Sequence, residues 1–165
     1  MKILKGKKIK KFYRTTEKTK SSMTGDKFSK FISFYALNVD KVSLVVSNNK
    51  DARALLWLCD DGTLLMDDIY GNGADKLINW VIKNNVYFIR TIPDDKLSSL
   101  RITMKYKYKD RFPYIDNMNK GKFISDTELV LSYDMPSANI AFLSHKGDFI
   151  ELRKNNAEKI NFYYI

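Results

Sequence analysis

The sequence predicts an α+β fold, a single antiparallel-rich sheet with two main helices, on three observations. Residues 24–35 and 74–83 carry apolar side chains at helical spacing. Short β-branched and aromatic runs, bounded by turn residues, fill the interval between them. Beyond residue 100 the pattern is almost wholly strand and turn, so that helices and strands segregate along the chain. At 165 residues, one domain can bury a core without disulfide or metal staples.

The first element is defined by charge. Lys2, Lys5, Lys7, Lys8, Lys10, Lys11, Arg14, Lys18 and Lys20 face one acid, Glu17, which puts +8 of the formal net charge of +10 in the first twenty residues. The remainder is nearly neutral, with 20 basic and 18 acidic residues. The expected organisation is a basic N-terminal arm over residues 1–20 and a single α+β domain over residues 21–165. Deleting residues 2–11 is expected to leave the fold standing, as an arm outside the core would.

Thr24 is suited to cap a helix whose first turn holds Asp26 and whose stripe is Phe28, Phe31, Ile32 and Tyr35, at i, i+3, i+4 and i+7. Val42, Ser43, Leu44, Val45 and Val46 form a β-branched run between polar pairs and predict a strand. Residues 53–58 and 63–70 predict two more strands, joined by the turn Asp60, Asp61, Gly62. Gly71, Asn72 and Gly73 interrupt, and Leu77, Trp80 and Val81 restore helical spacing until Asn84 and Asn85. Strands are expected at residues 86–92, 100–112 and 129–133, with a hairpin of 140–143 and 149–153 about His145 and Gly147, and a last strand at 162–165. The expected core of the first half is Ile32, Val45, Leu56, Trp57, Leu65, Ile69, Leu77, Trp80, Val81 and Phe88.

Composition narrows the chemistry. One cysteine, Cys59, excludes an intrachain disulfide and any multi-cysteine zinc site, and its apolar neighbours predict a thiol that fills core space. No apolar run approaches the roughly 20 residues that span a bilayer, and the basic N-terminus lacks the hydrophobic stretch of a secretory signal. A cytoplasmic protein is expected. His145 lies in a turn with no orienting partner, and adjacent Asp67 and Asp68 on one strand face opposite ways, so neither supplies a catalytic pair. No nucleophile has a plausible base, and no cofactor or metal is expected.

Binding surfaces are better indicated. In the segment from Arg101 to Phe112, alternation sets Arg101, Lys105, Lys107, Lys109 and Arg111 on one face and Ile102, Met104, Tyr106, Tyr108 and Phe112 on the other. Successive positions on one face of a strand lie about 7 Å apart, close to the phosphate spacing of a nucleic-acid strand. With Lys5, Lys7, Lys8, Lys10, Lys11 and Arg14, these residues are the candidates for contact with a polyanionic partner. The competing reading of the strand is an edge guarded by lysines against aggregation.

The glycine turn at Gly71 and Gly73 can present backbone N–H groups to a phosphate. The order helix, three strands, glycine turn, helix resembles the core of the GNAT acyltransferases. The resemblance implies that Gly71 and Gly73 hold the pyrophosphate of an acyl-CoA. Here the turn is short, and Asp75 adds a negative charge beside it.

Three blocks carry a second resemblance: Arg53-Ala54-Leu55-Leu56-Trp57, Met66-Asp67-Asp68-Ile69-Tyr70, and Phe112-Pro113-Tyr114-Ile115-Asp116. With Ser22-Met23 ahead of the aromatic helix, they resemble a group of uncharacterised proteins encoded by bacteriophages and related mobile elements. The group usually has Arg in place of Asp68 and Cys in place of Ser22. The resemblance implies a small protein acting on host machinery, of the kind that includes anti-CRISPR inhibitors. The expected function is a non-enzymatic binding protein that engages a host nucleoprotein or nuclease, or its guide or target nucleic acid. The alternatives are a GNAT-type acyltransferase and a freestanding RNA- or DNA-binding protein.

Overall fold

The strand predicted at residues 42–46 lies inside a six-stranded sheet in the computed structural model, which describes residues 1–15, 32–107, 120–132, 141–143 and 149–151. The elements are β1 (Lys2–Leu4), α1 (Lys7–Thr15), α2 (Ile32–Leu37), β2 (Val42–Val46), β3 (Ala52–Leu58), β4 (Leu64–Met66), β5 (Tyr70–Gly71), α3 (Ala74–Lys83), β6 (Tyr87–Phe88), α4 (Asp94–Ser99) and β7 (Arg101–Lys105). They continue with β8 (Lys120–Ser125), β9 (Glu128–Ser132), β10 (Ala141–Leu143) and β11 (Phe149–Glu151). The α+β class holds. The described strands, however, form two sheets and not one, in the orders β1-β2-β3-β4-β6 and β11-β10-β8-β9-β7, with β5 also paired to β3. The described helices are four: α2 covers the part of the expected 24–35 helix that lies within the described residues, α3 is the other expected helix, and α1 and α4 are additional.

Both faces of the first sheet are covered. Val42, Leu44, Val46, Leu55, Trp57 and Leu65 point towards α1 and α2, while Val45, Ala52, Ala54, Leu56 and Met66 point towards Leu77 and Val81 of α3. This explains why β2 and β3 read as continuous apolar runs and not as alternating ones. The inner residues of the second sheet, Ile102, Met104, Leu129 and Leu131, join the first of these clusters, so the two sheets share a core around α2. Trp57 is fully buried, with Tyr35 edge-on at 6.1 Å, and Phe34 packs on Tyr106 at 5.7 Å. Of the expected core, Ile69, Trp80 and Phe88 are only half-buried; the other seven are buried.

The strand predicted over residues 63–70 is broken by a β-bulge. Leu56 pairs with Met66 and Arg53 with Tyr70, so Asp67, Asp68 and Ile69 stand opposite only Ala54 and Leu55. Beyond it, α3 makes a crossover that brings β6 parallel to β4. The strand expected at 86–92 is only Tyr87–Phe88, because the chain turns at once, with Thr91 and Ile92 donating to the Phe88 carbonyl. Likewise β7 ends at Lys105, with Tyr106 and Lys107 beyond it, and residues 108–112 of the expected strand lie outside the described residues. The helix start at Thr24 and Asp26, His145 and the strand at 162–165 lie outside the described residues.

The largest correction concerns the N-terminus. Residues 1–15 are not an arm outside the domain. β1 pairs antiparallel with β2, and Ile9, Phe12 and Tyr13 of α1 are buried in the shared core. The physical reason is a stripe at i, i+3 and i+4 set among the lysines, which is the inward face of an amphipathic helix. Ile9→Ala is expected to cost about 2–5 kcal/mol and Trp57→Ala about 3–5 kcal/mol in denaturant titrations. Deleting residues 2–11 should lower the melting temperature sharply, where a free arm would leave it unchanged.

Candidate polyanion-binding surface

The outward side of α1 is cationic because its inward side is fixed by packing. With Ile9, Phe12 and Tyr13 buried, Lys7, Lys8, Lys11 and Arg14 are exposed, as is Lys5 ahead of the helix. Lys10 is half-buried and donates to Ser33 Oγ of α2 at 3.4 Å. Tyr13 anchors the helix from below. The buried guanidinium of Arg53 lies 5.4 Å from the Tyr13 ring and 4.6 Å from the Tyr70 ring. Such stacking of a desolvated cation is worth about 2 kcal/mol.

The second cationic element is β7, whose alternation is as expected. Ile102, Met104 and Tyr106 are buried, and Arg101, Lys105 and Lys107 are exposed. Lys109 and Arg111 lie outside the described residues. Arg101 is not free to serve a ligand, since its guanidinium donates to the carbonyls of Ser98 and Leu100 and closes the end of α4. Lys122 adds an exposed cation: it faces Val130 of β9, which faces Thr103 of β7. Its alternation within β8 was the signal available for it, weakened by the short length of that strand.

The edge of β7 is already covered. The Asn38 side chain accepts from the Lys105 N–H at 2.6 Å and donates to the Lys105 carbonyl at 2.9 Å. The Asp60 N–H donates to the Arg101 carbonyl at 2.8 Å, and the Asp60 carboxylate accepts from Thr103 N–H at 3.0 Å and from Thr103 Oγ1 at 2.7 Å. These bonds occupy the outer edge as a neighbouring strand would. Lys105 and Lys107 are therefore not needed to guard that edge, which weakens the competing reading.

Partial burial would raise the Asp60 pKa. It is overcome by hydrogen bonds from Lys41 and Thr103, which hold the carboxyl below the usual value.

The glycine turn has a different explanation from a phosphate seat. Gly71 has φ +105°, and a Cβ there would lie 2.0 Å from the Asp51 carbonyl oxygen. A Cβ on Gly73 would lie 2.7 Å from Asp51 Oδ1. Both glycines admit the β2–β3 turn against the start of α3. The Asp51 carboxylate accepts from Ser47 Oγ and, at 3.1 Å, from Lys76 Nζ. The Ser47 hydroxyl and then Lys76 hold its pKa down, so a fixed anion stands beside Gly73.

The remaining acid–base candidates are structural. Asp67 is buried and accepts from Trp57 Nε1 at 2.9 Å, while Asp68 turns outward into a bidentate pair with Arg90 at 2.6 Å, so the two do face opposite ways. Burial, helped by the charges of Asp61 and Asp60, pushes the Cys59 thiol up to about 12, far from a thiolate at neutral pH. Among the described residues no group of three or more His, Cys, Asp or Glu is placed to hold a metal ion, and no helix is long and apolar enough to cross a membrane. In comparisons with known proteins, no family model matches the chain, and neither a curated protein nor a solved structure matches it.

The Asp60 clasp yields a pH prediction. A carboxyl with a depressed folded pKa contributes stability above its unfolded value of about 3.9, and loses it as pH falls through the folded value. Asp60→Asn is expected to be less stable than the wild type at neutral pH, with a flatter decline in thermal melts on acidification below about pH 4.

Proposed function

We propose that this protein is a non-enzymatic binding protein that engages a polyanionic partner through the cationic surfaces of α1 and β7. Following the resemblance to phage and mobile-element proteins, the partner is a host nucleoprotein in the cytoplasm, and the outcome is inhibition of a defence nuclease, as anti-CRISPR proteins do. The observation that carries this reading is the position of α2. Its Ser33 receives Lys10 of α1, its Phe34 packs on Tyr106 between Lys105 and Lys107, and Asn38 just beyond it holds the Lys105 backbone. Two basic segments some ninety residues apart in sequence thus flank one helix. Cations held on packed elements release condensed counterions from a polyanion, which makes binding strong and salt-dependent.

Pull-down from host lysate followed by a nuclease assay tests the partner; recovery of no nucleoprotein would sink the reading. Binding to naked nucleic acid at physiological salt separates it from a freestanding RNA- or DNA-binding protein. The surface itself is tested with Lys7, Lys8 and Lys11 changed to Gln, and separately Lys105 and Lys107. Each set is expected to weaken binding. The log–log salt slope should fall by about 0.9 for each phosphate that is no longer neutralised on duplex DNA, or about 0.7 on a single strand. Unchanged affinity and slope in both sets would place the interface elsewhere.

A second reading, a GNAT-type acyltransferase, is favoured by the parallel β4–α3–β6 crossover that contains the glycine turn. Against it stands the Asp51 carboxylate beside Gly73, where an acyl-CoA pyrophosphate would meet a fixed negative charge. Thermal shift with acetyl-CoA decides the matter. Ligand at about a hundred times its dissociation constant stabilises a native state by about 2.7 kcal/mol, and no shift is expected here.

A further inference from the structure

The charge on α1 opposes its own helix. Five of its nine residues are Lys or Arg, its first turn holds no acid, and Lys7 and Lys8 sit at the positive end of the helix dipole. Lys7 and Lys11, and Lys10 and Arg14, are like-charge neighbours at i, i+4, an arrangement that destabilises a helix. The ion pairs among the described residues, Lys41–Asp60, Lys76–Asp51, Arg90–Asp68 and Lys96–Asp61, all lie elsewhere and relieve none of this. What holds α1 down is the burial of Ile9, Phe12 and Tyr13, the pairing of β1 just ahead of it, and the stacking of Tyr13 on Arg53.

We infer that α1 is an electrostatically loaded element, and that a phosphate-rich ligand laid along Lys7, Lys8, Lys11 and Arg14 stabilises the fold as it binds. The inference rests on the binding function proposed above and adds a regulatory link to it. Natural proteins break one or two such local rules at functional sites and offset the cost elsewhere. Here the rule broken is the match between charge and helix dipole, and the gain is affinity for an anion that completes the helix from outside. Occupancy and stability are then the same equilibrium seen from two sides, because a ligand that binds only the native state must stabilise it. Since α1 and β1 feed the core shared by both sheets, the stabilisation reaches the whole protein and is not local to the helix.

The test uses the full chain and inorganic polyphosphate as probe, with melting temperature as the readout, in low and high NaCl. The Lys7→Glu/Lys8→Glu double variant puts acids where the dipole favours them. Alone in low salt it is expected to melt about 2–4 °C above the wild type. The wild type should gain stability from NaCl more than the variant does, because salt screens the repulsion. Polyphosphate should raise the melting temperature of the wild type and leave the variant nearly unmoved. A Lys7→Gln/Lys8→Gln variant, which removes charge without adding any, should fall between the two. If the Glu variant melts no higher than the wild type while polyphosphate binding persists, the inference is overturned and the binding function stands. If polyphosphate neither binds nor shifts the wild type, the binding function falls, and the inference with it.

Discussion

Along one edge of β7, two residues stand in for a neighbouring strand, and the arrangement of the rest follows from them. Asn38 pairs with both backbone groups of Lys105, and Asp60 pairs with Arg101 and Thr103. Each is itself held in place: Asn38 donates to the Phe34 carbonyl at the end of α2, and Asp60 takes the Lys41 ammonium. Backbone groups at such a junction must be paired, because an unsatisfied one costs about 1–3 kcal/mol. This junction seats the second sheet against the first, lets Ile102 and Met104 enter the same core as Trp57, and sets the distance of Lys105 from α2.

A cationic segment that packs differs from one that hangs free. A flexible arm loses conformational freedom when it meets its partner, and that loss subtracts from affinity. In α1 the ordering is already complete in the free protein, supported by Ile9, Phe12 and Tyr13. The cations therefore keep a fixed spacing and direction, and the binding surface is preorganised. The same packing explains how so basic a segment remains helical at all.

Much of the fold was legible where one period ruled a whole element. Leu77, Trp80 and Val81 placed α3 at residues 74–83, and the β-branched run placed β2 at residues 42–46. The turn at Asp60, Asp61 and Gly62 was legible from its residue types instead, since Gly62 takes φ +87° there. The N-terminal helix was harder, because its three apolar residues are outnumbered by lysines and charge dominates the local pattern. The division into two sheets could not be read, because pairing partners such as Arg101 and Ser132 are set by interactions remote in sequence. For the candidate surface, alternation correctly turned Lys105 and Lys107 outward. It could not show that Arg101 is spent on closing α4, nor that Asn38 and Asp60 cover the strand edge. The glycine turn looked like a phosphate seat because Gly71 and Gly73 are the residues both roles would select, and only the neighbouring Asp51 separates them.

The bulge between Met66 and Tyr70 matters for how this sequence can change length. Strict alternation from Leu65, which faces α1 and α2, would turn Tyr70 to the opposite face of the sheet. The extra residue among Asp67, Asp68 and Ile69 reverses that parity and brings the Tyr70 ring onto Arg53, whose other side carries Tyr13. A one-residue deletion in this stretch would remove the bulge, leaving two residues opposite Ala54 and Leu55 and Tyr70 still opposite Arg53, on the face of Leu65. Loss of two residues would turn Tyr70 away from Arg53 and shorten the path to Gly71, which has no room to move against Asp51. A stretch that looks like an ordinary irregularity is thus able to lose one residue and keep its stack but not two, and a single-residue gap placed there in a sequence alignment leaves the aromatic partner of Arg53 in place.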